Sequence, residues 1–452
     1  MNCSMPGLVA YALFFTLLFT APATSTAGLT MRADLTHVDK GRGFTRWELV
    51  SRMAARSRAR AASLYHRGGH YGDPVTATVV RMPAEYLIHL NIGTPRPQRV
   101  ALTMDTGSDL VWTQCTPCHV CFDQPSPISF LLVFDGSMSS TFKAVACPDP
   151  ICRPSSGVSV SACAMENFQC FYLCSYGDRS ITAGHIFKDT FTFMSPNGVP
   201  VAVSELAFGC GDYNTGLFVS NESGIAGFGR GPQSLPSQLK VGRFSYCLTL
   251  VTESKSSVVI LGTPPDPDGL RAHTTGPFQS TPIIYNPLIP TFYYLSLEGI
   301  TVGKTRLPFD KSVFALKKDG SGGTVIDSGT SLTTLPEAVF ELLQEELVAQ
   351  FPLPRYDNTP EVGDRLCFRR PKGGKQVPVP KLILHLAGAD MDLPRDNYFV
   401  EEPDSGVMCL QINGAEDTTM VLIGNFQQQN MHVVYDVENN KLLFAPAQCD
   451  KL

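Results

Sequence analysis

Apolar and polar residues alternate along much of this chain with the two-residue period of half-buried strands. From Glu85 to Ile92, the side chains of Tyr86, Ile88, Leu90 and Ile92 fall on one face, which predicts a strand with one side in a core. Gly93-Thr94-Pro95-Arg96-Pro97 then turns the chain into a second strand that ends at Asp105. Strand-like runs recur at 186–193, 258–261, 293–300, 381–386, 407–412 and 431–436. The clearest helix spans 336–351. Proline suits its first turn, Glu337 complements the dipole, and Phe340, Leu343, Leu347 and Phe351 make an apolar stripe fit for core packing. Pro264-Pro265-Asp266-Pro267-Asp268-Gly269 breaks the pattern and marks the crossing between two halves.

The first 27 residues follow another rule. They hold no charged residue, an apolar core from Leu8 to Phe19, and a small-residue stretch from Ala21 to Ala27. That core is too short to span a bilayer, so the segment reads as a secretory signal peptide, although it lacks a positive n-region. No later segment is apolar for long enough to cross a membrane.

Composition adds size and compartment. At 452 residues the chain is long enough for two lobes, each with its own core. Low charge with abundant Gly and Pro fits a β-rich protein with many turns. Fourteen cysteines are too many for an ordinary cytosolic enzyme. Without Cys3 thirteen remain, enough for six bridges and one thiol. The cluster Cys115-x2-Cys118-x2-Cys121 reads as disulfides rather than metal ligands, because no partner histidine motif follows and Cys147 and Cys152 lie close downstream.

Charge is uneven. Residues 28–72 carry nine Arg or Lys against three acids, a net of +6, and the chain from Met82 onward carries −11. In a secreted chain this reads as a basic propeptide, residues 28–82, that docks on an acidic cleft and leaves when carboxylates protonate. Nucleic-acid binding is the less favoured use of such an arm, and a solvated disordered arm is the bland one.

Two short stretches nearly repeat each other: Asp105-Thr106-Gly107-Ser108 and Asp327-Ser328-Gly329-Thr330. Each follows an apolar run, and the aspartates stand 222 residues apart, about the length of one lobe. The chain therefore reads as a diverged duplication with one carboxylate per half. A second echo pairs Gly224-Ile225-Ala226-Gly227-Phe228-Gly229 with Val421-Leu422-Ile423-Gly424-Asn425, where glycine permits close backbone approach. Gly227-x-Gly229-x-Gly231 lacks the spacing of a phosphate loop. Peptide hydrolysis needs a nucleophile, a base and an acid. Two carboxylates a few ångströms apart supply the last two around a water, because like charges that close share one proton across the acid range. Ser108 and Thr330 are placed to hold each carboxylate by a hydroxyl hydrogen bond.

With these marks the chain resembles the pepsin-type aspartic proteases, and within them the plant nepenthesin-like branch. The resemblance covers nearly everything from Glu85 to Cys449. It rests on Asp-Thr-Gly-Ser with Trp112 seven residues on, Tyr176-Gly177-Asp178-x-Ser180 with Gly184, and Asp327-Ser328-Gly329-Thr330-Ser331. Phe228-Gly229-Arg230-Gly231 and the end from Leu422-Ile423-Gly424-Asn425-Phe426 through Val434-Tyr435-Asp436 to Phe444-Ala445-Pro446 add to it. It implies an all-β, bilobal pepsin-like fold of two β-barrel-like lobes, 83–270 and 271–452, with an active-site cleft between them. By that resemblance Asp105 and Asp327 are the catalytic pair, supported by Thr106, Gly107, Ser108, Ser328, Gly329 and Thr330. Tyr176 and Gly177 belong to the flap over substrate, with Trp112 as hydrogen-bonding partner of Tyr176. The implied disulfides are Cys115 with Cys118, Cys121 with Cys210, Cys147 with Cys170, Cys152 with Cys163, Cys247 with Cys449, and Cys367 with Cys409.

Departures from the pattern are few. Cys174, two residues before Tyr176, is the odd thiol and reads as buried and inert. Ile128-Ser129-Phe130-Leu131-Leu132 lengthens the cysteine-rich insertion with apolar residues, and the saposin-like insert of some plant relatives is absent. Asn221 heads the glycosylation sequon Asn221-Glu222-Ser223. The histidines show no metal spacing, and His119 reads as a surface residue. Asp109 and Asp178 read as solvated or structural carboxylates. The expectation is therefore a secreted acid endopeptidase made as a zymogen, acting outside the cell or in the vacuole. It acts as a monomer on polypeptides with no cofactor, metal, nucleic acid or transmembrane anchor. The alternative from another class is a catalytically silent binding protein of the same fold, like the xylanase inhibitors of this branch.

Overall fold

The computed structural model describes residues 30–45, 48–54, 57, 60, 86–124, 133–153, 159–163, 168–176, 180–216, 218, 222–253, 255–263, 273–356, 365–370, 377–402, 406–416 and 418–452. The signal peptide, the break at 264–269, the apolar segment 128–132, Gly177, Asp178 and Asn221 lie outside the described residues.

The predicted strands are present. Tyr86–Ile92 pairs antiparallel with Gln98–Asp105, and the run at 186–193 is part of a longer strand, Ile181–Met194. The run at 293–300 is split into Tyr294–Leu295 and Leu297–Val302, which join different sheets. The helix is Glu337–Gln350, with Phe340, Leu343 and Leu347 buried on its stripe. Pro336 caps it from outside rather than opening its first turn. Phe351 follows and meets Phe368, ring to ring, at 4.5 Å.

Among the described residues, one large sheet runs through the molecule. It passes from Lys441–Pro446 and Met431–Asp436 through Arg243–Cys247 and Ser257–Leu261 to Met31–His37, then Tyr86–Ile92 and the strands of the first half. Residues from the arm therefore sit inside this sheet, with the strand Met31–His37 hydrogen-bonded to Ser257–Leu261 on one side and Tyr86–Ile92 on the other.

The internal duplication is visible as topology. In the first half, Gly224–Gly227 lies parallel to Gln98–Asp105 and antiparallel to Val111–Thr116, with Gly227 opposite Asp105. In the second, Val421–Ile423 lies parallel to Thr324–Ile326 and antiparallel to Thr334–Pro336. Each aspartate thus leaves the end of an inner strand clamped by a later strand of its own half. Close approach explains the second glycine echo. A Cβ on Gly227 would stand 2.2 Å from the Asp109 backbone, and one on Gly424 would stand 2.6 Å from the backbone of Ser331 and Leu332.

Four of the implied disulfides are corrected. Cys115 pairs with Cys210 and Cys118 with Cys121. Cys115 lies buried within Val111–Thr116, whose parallel neighbour Pro200–Thr215 carries Cys210. Cys118 lies past the end of that strand, on a loop fixed by the His119 and Val120 amides donating to the Asp212 carbonyl. Further along, Cys147 pairs with Cys163 and Cys152 with Cys170. Cys163 and Cys170 face each other across one hairpin, so only the path of 147–152 decides which cysteine each receives. Cys247–Cys449 and Cys367–Cys409 form as expected. Cys174 remains a buried thiol.

Candidate active site

Asp105 and Asp327 come together in the structure, 0 % and 1 % exposed. Their surroundings match almost atom for atom. The Gly107 amide donates to Asp105 Oδ1 at 3.0 Å and the Ser108 hydroxyl to Oδ2 at 2.6 Å. The Gly329 amide donates to Asp327 Oδ1 at 2.9 Å and the Thr330 hydroxyl to Oδ2 at 2.6 Å. Both carboxylates are thereby held in plane, each by its own turn.

The two turns also hold each other. The Thr106 amide donates to Ser328 Oγ at 3.0 Å, and the Ser328 amide donates to Thr106 Oγ1 at 2.9 Å. The Ser328 hydroxyl in turn donates to the Met104 carbonyl at 2.9 Å. Glycine is required after each Asp-Thr or Asp-Ser. A Cβ on Gly329 would fall 2.1 Å from Asp105 Oδ1, and one on Gly107 would fall 2.9 Å from Asp327 Oδ1. Burial pushes the Asp327 carboxyl above its ordinary range, and the neighbouring Asp105 charge adds to this against the pull of Arg60 and the hydrogen bonds.

Tyr176 stands at the head of the hairpin from Cys170–Ser175 to Ile181–Met194, its amide bonded to the Ser180 carbonyl. Its hydroxyl accepts the Trp112 indole N–H at 2.7 Å. Phe218 packs edge-on against both rings. Cys174 is not an idle thiol, since it shares a hydrogen bond with the Tyr176 hydroxyl.

Sequence reasoning missed two groups. The first is Arg60. Residues 48–54, with 57 and 60, are helical, and the helix starts with a capping box. The Glu48 amide donates to Thr45 Oγ1 while the Thr45 amide donates to Glu48 Oε2. Val50, Met53 and Ala54 bury against Leu332, Val400 and Phe426. Ser57 Oγ accepts the Leu332 amide, and Asn413 donates to the Ala54 carbonyl. That path delivers one guanidinium nitrogen of Arg60 to 2.8 Å from Asp105 Oδ1 and 2.8 Å from Asp327 Oδ2. The basic composition of the arm pointed to an acidic cleft. Nothing in the sequence distinguished Arg60 from the other eight basic residues.

The second is Asp109, read from sequence as a solvated or structural carboxylate. It is not solvated, being 5 % exposed. No group of three or more His, Cys, Asp or Glu suited to a metal occurs among the described residues. None of the helices there is long and apolar enough to cross a membrane.

Residues 86–263 match the family described as xylanase inhibitor N-terminal, and 292–446 match xylanase inhibitor C-terminal. Aspartic proteinase nepenthesin-1 of Nepenthes gracilis is 39 % identical, covering 97 % of each chain. This chain belongs to the plant aspartic protease family. Aspartic proteinase nepenthesin-2 of the same plant is 37 % identical over 93 % of this chain and 90 % of its own. Aspartyl protease family protein 2 of Arabidopsis thaliana is 34 % identical over 90 % of this chain and 80 % of its own. Among solved structures, basic 7S globulin from soybean shares the fold at a TM-score of 0.61 and 20 % identity, covering 80 % of this chain and 93 % of its own. The bilobal, pepsin-like all-β architecture is thus established, and the protein is an aspartic-type protease acting on polypeptides.

Proposed function

We propose that this plant aspartic protease is a secreted acid endopeptidase, synthesised as a zymogen. In the active form a water takes the position between Asp105 and Asp327 that Arg60 fills here. The ionised carboxyl removes a proton from that water as it attacks the scissile carbonyl. The protonated partner donates a hydrogen bond to the carbonyl oxygen and then supplies the leaving nitrogen's proton. Ser108 and Thr330 keep the two groups in plane throughout. Tyr176 closes the flap over an extended substrate.

The observation that carries the zymogen reading is the Arg60 bridge across both carboxylates. Arginine keeps its charge at every relevant pH, so release depends on the acids. On balance the Asp327 carboxyl titrates above its ordinary range. Its charge, and the attraction for Arg60, is therefore present above that raised value and lost as pH falls through it. Glu48 is held below its ordinary range by its bonds to Thr45, so the cap that starts the helix survives to lower pH and fails later.

The family descriptions name xylanase inhibitors, which keeps a silent binding protein as the second reading. The complete dyad, its supporting hydroxyls and the flap tyrosine favour the enzyme. Hydrolysis of a denatured protein by the secreted product, from about pH 2 to about pH 7 with and without pepstatin, tests this. Acid-dependent, pepstatin-sensitive cleavage with loss of the arm supports the proposal. Silence at every pH, from folded protein already lacking its arm, favours the inhibitor-like reading.

A further inference from the structure

Four residues past Asp105 lies a buried carboxylate that hydrolysis does not use. Asp109 Oδ1 accepts the Gly231 amide at 2.7 Å, and Oδ2 accepts the Thr291 hydroxyl at 2.7 Å. Gly231 belongs to the N-terminal half, whereas Thr291 leads into the strand Tyr294–Leu295 of the C-terminal half. A parallel bond joins the Arg230 amide to the Thr291 carbonyl at 3.0 Å. The turn around Asp109 is shaped for it. A Cβ on Gly227, Gly229 or Gly231 would come within 2.2, 2.4 or 2.3 Å of Asp109 atoms. Gly229 and Gly231 thus make room for the carboxyl group, and Gly227 for the Asp109 backbone.

Both arms of this contact lead to the reacting pair. On one side the Phe228 amide donates to the Asp105 carbonyl and the Gly229 amide to the Ser108 carbonyl, each at 2.8 Å. On the other, two residues past Thr291, the Tyr293 carbonyl accepts the amide of Ile326, the neighbour of Asp327. The Tyr293 hydroxyl returns to the Phe228 carbonyl at 2.9 Å. The Thr106–Ser328 grip joins the two aspartate turns directly, and the contacts around Asp109 and Thr291 tie the segments behind those turns.

We propose that Asp109 is a positioning residue: bonded to Thr291, it braces one half of the molecule against the other and fixes the separation of Asp105 and Asp327. The proposal rests on the reading of that pair as the catalytic dyad. The brace does not need a charge. Burial pushes the Asp109 carboxyl up, and the Asp105 charge adds to this against the bonds from Thr291 and Gly231. Tyr293 also feels the Asp109 charge, and Arg230 on the glycine turn acts on Tyr293 in the opposite sense. A protonated Asp109 still accepts from Gly231 and donates to Thr291 Oγ1. Asparagine reproduces that pattern, and alanine removes both bonds.

The test uses the full chain, acid-activated, with kcat and KM for a fluorogenic peptide measured across pH. The variants are Asp109→Asn, Asp109→Ala, Thr291→Ser, Thr291→Val and the Asp109→Ala/Thr291→Val pair. Asp109→Ala and Thr291→Val should each lower kcat/KM about tenfold to a hundredfold, mainly in kcat, as expected for a dyad displaced by a fraction of an ångström. Both should also bring the acid and alkaline limbs of the profile closer together, since carboxyls moved apart interact less. The double variant should be no worse than the worse single one. Asp109→Asn and Thr291→Ser should stay within about threefold of wild type. An active, unshifted Asp109→Ala, additive losses, or an Asp109→Asn that behaves like Asp109→Ala would overturn the brace alone. Should Asp109→Ala not fold, the Thr291→Val and Thr291→Ser comparison decides by itself. A wild type with no activity would overturn both the brace and the protease reading, and Asp105→Asn sets the background rate.

Discussion

At the scale of single residues, the proposed catalytic pair is held by two matching turns. Each carboxylate takes one amide and one hydroxyl from its own turn. The turns then exchange bonds through Thr106 and Ser328. Asp105→Asn should lower kcat/KM by about a thousandfold or more, because an amide cannot act as the base, while the melting temperature stays near wild type. Full activity in a folded variant would sink the mechanism. Gly329→Ala should cost nearly as much by a different route. Its methyl group would fall 2.1 Å from Asp105 Oδ1, so one turn must move and the shared proton loses its geometry. Cys174 belongs to this scale as well. Serine can keep the hydrogen bond to Tyr176, so Cys174→Ser should hydrolyse peptide within about twofold of wild type. A count of thiols in the unfolded, unreduced enzyme should fall by one in that variant. An unchanged count would contradict the disulfide assignment.

At the scale of elements, legibility followed how local the cause was. The helix Glu337–Gln350 was readable because its stripe of Phe340, Leu343 and Leu347 is a periodic property of one segment. Leu347→Ala should destabilise the fold by about 2–5 kcal/mol, read as a lowered melting temperature with little change in activity per folded molecule. The aspartate turns were readable for the same reason: their residue types and spacing state their geometry. The partners of Cys147 and Cys152 were not, since Cys163 and Cys170 stand opposite each other and sequence spacing cannot choose between them. Asp109 was hidden because its burial is created by glycines and a threonine more than a hundred residues away. Arg60 was hidden because helix phase, set at Thr45 and Glu48, selects one basic residue from nine. The element itself is testable. Arg60→Gln removes the charge that bridges both aspartates, so this variant should shed its arm at higher pH than wild type. Time courses of arm removal at a series of pH values would show it, and an unchanged threshold would mean that the helix contacts alone hold the arm.

At the scale of the whole molecule, the arm is held in two ways that respond differently to acid. The helix adds to its buried contacts a charge that acid can remove, through Arg60 and the two aspartates. The strand Met31–His37 depends on backbone pairing and burial. It forms ladders with both Ser257–Leu261 and Tyr86–Ile92, and Met31 and Leu35 are fully buried. Each such side chain contributes about 1.5–3 kcal/mol, and neither term changes when carboxylates protonate. Removing this strand would expose the ladder edge of Ser257–Leu261 and part of the core beneath it, an unfavourable end state for a sheet that spans both halves. Acid should therefore open the cleft first and leave the strand in place. After activation and cleavage before Tyr86, a fragment containing residues 31–37 should co-elute with the enzyme in gel filtration at acid pH. It should appear as a separate peptide only when the complex is denatured. Active enzyme that elutes free of this fragment would show that the sheet tolerates the loss and that the arm leaves as one piece. A mutation separates the two possibilities further. Leu35→Asp places a charge where the leucine is fully buried, so it should release the fragment after cleavage while leaving the pH of Arg60 release nearly unchanged. A shift of that pH along with the fragment would mean that helix and strand dock as a single cooperative unit.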